Sequence, residues 1–230
     1  MSNSPLIRTI DLRKVYETEA VTTPALRGVD LDLHEKEFTA IAGPSGSGKS
    51  TLLHLLGGLD RPTSGEIRLD GVALSTLNRD ALSRLRLEKI GFVFQAYNLI
   101  PVLTVLENTA FVLELRGVRE RERIERARVI LGELGIEKYA NQYPNRISGG
   151  EQQRVAVARA VVANPSIVLA DEPTANLDSA ASLELIDLMR RLNEGKGATF
   201  LFATHDARLL DRVNRLVTLV DGRVAADETR

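Results

Sequence analysis

The sequence predicts an α/β fold: a mostly parallel sheet core with an antiparallel β portion and an inserted helical segment. Three observations predict it. An apolar run, Phe38–Ala42 (FTAIA), leads into the glycine-rich GPSGSGKST of Gly43–Thr51, and the helix-forming TLLHLL of Thr51–Leu56 follows. Strand, glycine turn and helix is the order in which a phosphate-binding loop is built. Two further continuous apolar runs, Ile167–Ala170 (IVLA) and Ala198–Thr204 (ATFLFAT), suit strands covered on both faces, as in a parallel sheet. The stretch Ala96–Gly135 is mostly helical by pattern, and a second helix follows within Asn145–Ala163.

In chain order, Leu6–Leu12 and Val29–His34 alternate apolar and polar residues and read as half-exposed antiparallel strands. Tyr16 falls between them: a ring that stacks on a nucleotide base, or a partly buried surface tyrosine. Gly65–Gly71 is another short alternating strand. Arg79–Leu87 is a polar helix, and Ile90–Phe94 a compact apolar strand followed by Gln95. That amide could ligate a cation or simply cap a strand end. Thr104 with Glu107 is a capping-box pair. The charge-dense Arg119–Arg128, with Glu122 and Arg126 at helical spacing, reads as a solvated helix face. Ser148 with Glu151 marks a second capped helix, with Gly149 and Gly150 at its mouth. It is either a second anion-binding helix terminus or an ordinary capped helix. Leu183–Leu192 is amphipathic helix. Arg215–Val220 and the turn Asp221–Gly222 read as a closing hairpin.

Several of these residues carry chemistry. In the loop Gly43, Pro44, Ser45, Gly46, Ser47, Gly48, Lys49, Ser50 and Thr51, missing Cβ atoms let backbone N–H groups close around phosphate oxygens. The following helix aims the positive end of its dipole at the same anion. Lys49 would reach the β- and γ-phosphates, and the Ser50 hydroxyl would ligate Mg²⁺. Asp171 and Glu172 end an apolar strand, where ligands of such sheets gather. Asp171 could hold Mg²⁺ through water, and Glu172 could polarise an attacking water. His205 sits at a third strand end.

Together these motifs resemble those of the nucleotide-binding subunit of ABC transporters, and the resemblance covers nearly the whole chain. They occur in that family's order: GPSGSGKST, Gln95, the signature SGGEQ (Ser148–Gln152), IVLAD (Ile167–Asp171), Glu172, ANLD (Ala175–Asp178) and His205. The resemblance implies a P-loop NTPase fold in a single domain. Residues 1–95 and 164–230, approximately, form the core with its β subdomain, and about 96–163 form a helical subdomain carrying the signature. It also implies Tyr16 as the adenine-stacking aromatic and Ser50 and Gln95 as direct Mg²⁺ ligands with Asp171 behind a water. Glu172 is then the general base, and His205 contacts the γ-phosphate. Two copies dimerise head to tail, so that ATP lies between one phosphate loop and the other copy's Ser148, Gly149, Gly150 and Glu151, with Asp178 close by. A membrane permease partner and a place on the cytoplasmic face of the inner membrane follow from the same resemblance.

The stretches STLLHLLGGLDRPTSGEI and FQAYNLIPVLTVLEN look most like the lipoprotein-release and macrolide-exporter group, with Ala175 and Ile147 as mild departures. The other class to weigh is a non-transport ABC ATPase of the cell-division or iron–sulfur-assembly type; copurification of a membrane protein or of a soluble complex separates the two. A nucleotide sensor without turnover is disfavoured by Glu172 and His205.

Bulk properties narrow the field. The 230 residues are 43% hydrophobic and 27% charged, with net charge −1, so no electrostatic footprint for nucleic acid exists. Aromatics are only 4%, which leaves little for base stacking along a strand. The absence of cysteine excludes disulfides and thiolate metal sites. Met1–Lys14 lacks the apolar core of a leader, and no apolar stretch is long enough to span a bilayer. The expectation is a soluble chain whose membrane role runs through a partner.

Overall fold

The computed structural model describes residues 4–17 and 22–230. The opening stretch read for a leader begins in residues outside that description. Two sheets organise the described residues. The first is antiparallel, in the order β2-β1-β4-β5, from β1 (Ile7–Glu17), β2 (Thr22–Leu33), β4 (Ser64–Leu69) and β5 (Val72–Ala73). The second has six strands in the order β10-β9-β3-β8-β7-β6, from β3 (Phe38–Ala42), β6 (Ile90–Val93), β7 (Ile167–Asp171), β8 (Phe200–Ala203), β9 (Arg215–Val220) and β10 (Arg223–Thr229). All its neighbours pair in parallel except β9 with β10.

The continuous apolar runs have a direct cause. Alternate residues of each strand enter two different cores. Phe38, Val168, Ala170, Phe200 and Phe202 pack in a cluster with α3 (Val105–Leu115), α4 (Glu120–Glu133), α5 (Gly149–Val161) and α6 (Ser179–Lys196). Ile41, Ile167, Leu169, Leu201 and Ala203 pack on the opposite face with α1 (Lys49–Leu56) and the antiparallel sheet. A strand with both faces covered has no polar side to show.

Register then levels the strand ends. Ile41 and Asp171 both pair with Ala203, and Ala170 pairs with Val93. Residues just after β3, β6, β7 and β8 therefore emerge side by side along one edge of the sheet, where such sheets bind ligands.

Both capping boxes are formed: Thr104 with Glu107 starts α3, and Ser148 with Glu151 starts α5. The Glu122–Arg126 pair lies on an exposed face of α4. The closing turn has φ of 48° at Asp221 and 73° at Gly222, the paired positive values of a type I′ hairpin.

Some elements differ from expectation. Tyr16 lies within β1, opposite Thr23, not between two strands. Register shifts between Thr9 and Leu12 and between Lys14 and Val15 break the two-residue alternation, so the strand continues past the point where its pattern stops. α6 begins at Ser179, four residues before its apolar face, because Asp178 caps it. α2 (Arg79–Lys89) begins where expected and runs two residues past Leu87, while β5 and α7 (Ala207–Leu210) are too short to leave a periodic signal.

Candidate active site

The phosphate loop is shaped from outside as well as from within. At Gly43 (φ 148°) a Cβ would lie 2.0 Å from Leu219 O of β9, and at Gly48 (φ 102°) 2.6 Å from Ala25 O of β2. The Gly222 N–H donates to Ser47 O at 3.1 Å, so the terminal hairpin closes onto the loop. Only glycine meets both the backbone conformation and the close approach. Lys49 is 9% exposed, and its Nζ donates to Gly43 O and Pro44 O at 2.9 Å each. The first turn of α1 holds no acidic residue, so its N–H groups would meet an entering anion without a competitor. Ser47 Oγ is buried with no hydrogen-bond partner, a costly state that an entering oxygen would relieve.

Beside the loop, Ser50 Oγ donates to Asp171 Oδ1 at 2.9 Å. His54 Nε2, from the last turn of α1, is 3.7 Å from Asp171 Oδ2. Burial pushes the Asp171 carboxyl above the usual carboxylate range, aided by the neighbouring Glu172 charge; the Ser50 bond, His54 and Lys49 pull only partly the other way. Among the described residues no three His, Cys, Asp or Glu side chains cluster as a metal cage. A hydroxyl, a carboxylate and a nearby amide are nonetheless the hard oxygen donors that suit Mg²⁺, which keeps waters and takes phosphate oxygens as its remaining ligands.

Glu172 has φ 45°, a left-handed conformation that costs a non-glycine residue roughly 1–3 kcal/mol. The bend turns its carboxylate toward β8. Oε1 lies 2.7 Å from His205 Nδ1, and Oε2 accepts the Thr204 hydroxyl at 3.1 Å. The Glu172 side chain is 16% exposed and that of His205 75%, so a sheltered carboxylate meets an imidazole open to solvent. Gln95 is exposed; its backbone O accepts Asn176 Nδ2 at 2.9 Å, and its own amide makes no hydrogen bond among the described residues.

The remaining expected residues lie in three other places. Ser148 N–H and Oγ–H both donate to Glu151 Oε2, at 2.8 and 2.9 Å. Burial pushes the Glu151 carboxyl up, but donors from Tyr139 and Ser148 outweigh it and hold the group below its usual range. Glu151 is thus committed to the cap, and Gly149 and Gly150 are the first two residues of α5. No hydrogen bond among the described residues joins this mouth to the phosphate loop. Asp178 Oδ1 accepts the Ala181 N–H at 2.8 Å. Tyr16 is 40% exposed, donates its hydroxyl to Asp60 at 3.1 Å and carries Lys14 Nζ 4.8 Å from its ring centroid. Thr204 and His54 are site neighbours that the sequence did not single out, and Asn176 entered only as a member of ANLD. Thr204 was hidden at the end of an apolar strand, and the other two become neighbours only through the sheet order.

Comparison with known proteins gives a consistent answer. The family model described as ABC transporter matches residues 26–175. The lipoprotein-releasing system ATP-binding protein LolD of Anaeromyxobacter dehalogenans is 47% identical over 97% of this chain and 94% of its own length. The macrolide export ATP-binding/permease protein MacB of Rhodospirillum rubrum is 44% identical over 98% of this chain, which spans only 35% of that longer protein. Among solved structures, the dimeric structure of MJ0796, a bacterial ABC transporter cassette, superposes with a TM-score of 0.90 at 43% identity, covering 97% of this chain and 98% of that one. A second structure of the same cassette, in a post-hydrolysis state with ADP and Pi, superposes equally well.

Proposed function

The chain belongs to the ABC transporter family, and from that premise we propose that it is the ATP-binding, ATP-hydrolysing subunit of a transporter of the lipoprotein-release or macrolide-export type. One observation carries this most directly. The loop lysine, the Ser50–Asp171 pair and the Glu172–His205 pair emerge together at the ends of adjacent parallel strands. Residues about 1–95 and 164–230 would form the nucleotide-binding core with its β portion, and about 96–163 the helical part that carries the signature.

The loop amides and Lys49 hold the β- and γ-phosphates and offset charge that grows on them during transfer. Lys49 leaves Gly43 O and Pro44 O for the phosphates when ATP enters. Ser50 and Gln95 would hold Mg²⁺ directly and Asp171 through water. When bound, the cation would supply positive charge that offsets the negative charge of the phosphates. Glu172 accepts the proton of the attacking water, while Thr204 and His205 fix the direction of its carboxylate. Tyr16 offers its free ring face to the adenine.

ATP has one terminal phosphate, yet the chain has two anion-binding helix mouths, at Gly48–Lys49 and at Ser148–Gly150. Sharing them head to tail between two copies gives each a role; the cassette that superposes on this chain is described as dimeric, which supports the pairing of two copies. Asp178 would lie at the same junction.

A groove of about 430 Å³ lies beside the Gln95 loop, walled by Leu59, Phe92, Phe94, Val112 and Arg116. It offers a permease an apolar seat within reach of the nucleotide. No helix among the described residues is long and apolar enough to cross a membrane. Attachment to the cytoplasmic face of the inner membrane would therefore run through the permease.

The decisive variant is Glu172→Gln. It should retain ATP affinity, lose turnover by roughly 10²–10⁴-fold as expected for a general base, and elute as a dimer with ATP. Turnover at the wild-type rate would remove Glu172 from its assigned role.

A further inference from the structure

The loop that carries Gln95 holds a shape its own residues do not favour. Tyr97 and Asn98 both have positive φ, 56° and 51°. Asparagine tolerates that conformation; tyrosine gains nothing from it. The bend is tight: Tyr97 N–H donates to Phe94 O at 3.3 Å and Asn98 N–H to Ala96 O at 2.5 Å. Such a shape persists only where surrounding structure over-determines it.

The surrounding structure is Arg159 of α5. Its guanidinium donates to Asn98 O at 2.5 Å and to Tyr97 O at 2.9 Å, and these are its only hydrogen bonds among the described residues. It has no carboxylate partner there, and burial holds its pKa below the usual range. A partly buried charge is thus spent wholly on two consecutive carbonyls. The same helix opens at Gly149, where a Cβ would lie 2.8 Å from the Tyr97 hydroxyl. Tyr97 therefore touches α5 at its mouth and, through Arg159, near its far end. On the other side Asn176, four residues beyond Glu172, holds the Gln95 carbonyl.

We propose that Arg159 is a positioning residue for Gln95: it clamps the Tyr97–Asn98 bend, keeps the Gln95 amide presented to the cation site, and joins that loop mechanically to the helix whose mouth is Ser148–Gly150. The proposal rests on the reading of Gln95 as a cation ligand. The clamp works because a planar fork can serve two carbonyls at once; a lysine ammonium keeps the charge without that geometry.

The test titrates Mg²⁺ into the full chain with a fluorescent ATP analogue, reading the midpoint of the fluorescence change, with ATPase kcat and KM alongside. Arg159→Lys should raise the Mg²⁺ midpoint roughly 10-fold, the scale of losing a residue that orients a ligand. Binding of the analogue without metal should stay as in the wild type. Adding Tyr97→Gly to Arg159→Lys should restore most of the midpoint, since glycine enters the left-handed region without the steric penalty that the clamp opposes at Tyr97. A lowered melting temperature with an unmoved midpoint would reduce Arg159 to packing and overturn the proposal, as would failure of the glycine to restore it. Gln95→Ala separates the two layers. If that variant shifts the midpoint and Arg159→Lys does not, the clamp alone falls. If Gln95→Ala shifts nothing, the ligand reading falls and takes the clamp with it.

Discussion

At the scale of single residues, the site depends on groups kept in states they would not choose alone. Asp171 is the clearest. Its carboxyl titrates higher folded than unfolded because burial penalises its charge. A raised carboxylate pKa means the native state binds more protons, so this group's contribution to stability declines as pH rises from the unfolded value toward the folded one. Ionising Asp171 thus comes at a net cost to the fold. Asp171→Asn, which can still accept the Ser50 hydroxyl, should therefore melt higher than the wild type at pH 7 while losing metal-dependent turnover; a melt at or below the wild-type temperature would contradict the burial argument. Lys49→Ala should act oppositely to Glu172→Gln, weakening nucleotide binding itself by removing the charge that faces the phosphates, as a calorimetric titration would read. The residue types at this site were legible because each is an uncommon group at a marked place: a lysine after glycines, two carboxylates after IVLA. The left-handed backbone of Glu172 and the Thr204 hydroxyl beneath its carboxylate were not. Both arise from how β7 and β8 lie together, which no local pattern encodes.

At the scale of elements, caps and breaks carried the information. Both capping boxes could be read because an N-cap hydroxyl and a carboxylate three residues on satisfy each other's neighbouring amides, wherever the helix sits. Ser148→Ala should cost about 1 kcal/mol of stability, a fall of about 2–4 °C in a chain of this size. Its turnover should fall much further, since the same hydroxyl and the Gly149–Gly150 amides form the mouth proposed for the second copy's nucleotide. A proportionate loss of stability and activity would make Ser148 only a cap. Strands were less legible. β1 runs on to Glu17 through register shifts that destroy its alternation, which is why Tyr16 was expected outside it. Pro24 and Gly28 blurred the start of β2 in the same way.

At the scale of the whole molecule, the six-stranded sheet is assembled out of sequence order, with β3 held between β8 and β9. The apolar runs revealed that the sheet was doubly covered but not which strands would be neighbours; order is decided by crossovers, and only the register places Gln95, Glu172 and His205 along one edge. The groove by the Gln95 loop exists for the same reason, since α2, β6, α3 and α5 contribute to it from distant stretches of chain. Val112→Asp, on its wall, should leave ATP binding intact and abolish copurification with the proposed permease; retention of that partner would move the docking surface elsewhere. That same interleaving has a consequence for biogenesis. Gly43 leans on Leu219, and Ser47 receives its bond from Gly222, so the phosphate loop lacks its supporting wall until the β9–β10 hairpin, far later in the sequence, has been translated. A ribosome-bound chain that stops short of that hairpin should hold a protein that cannot yet grip its fuel, and nucleotide binding should appear only once Gly222 is free to reach Ser47.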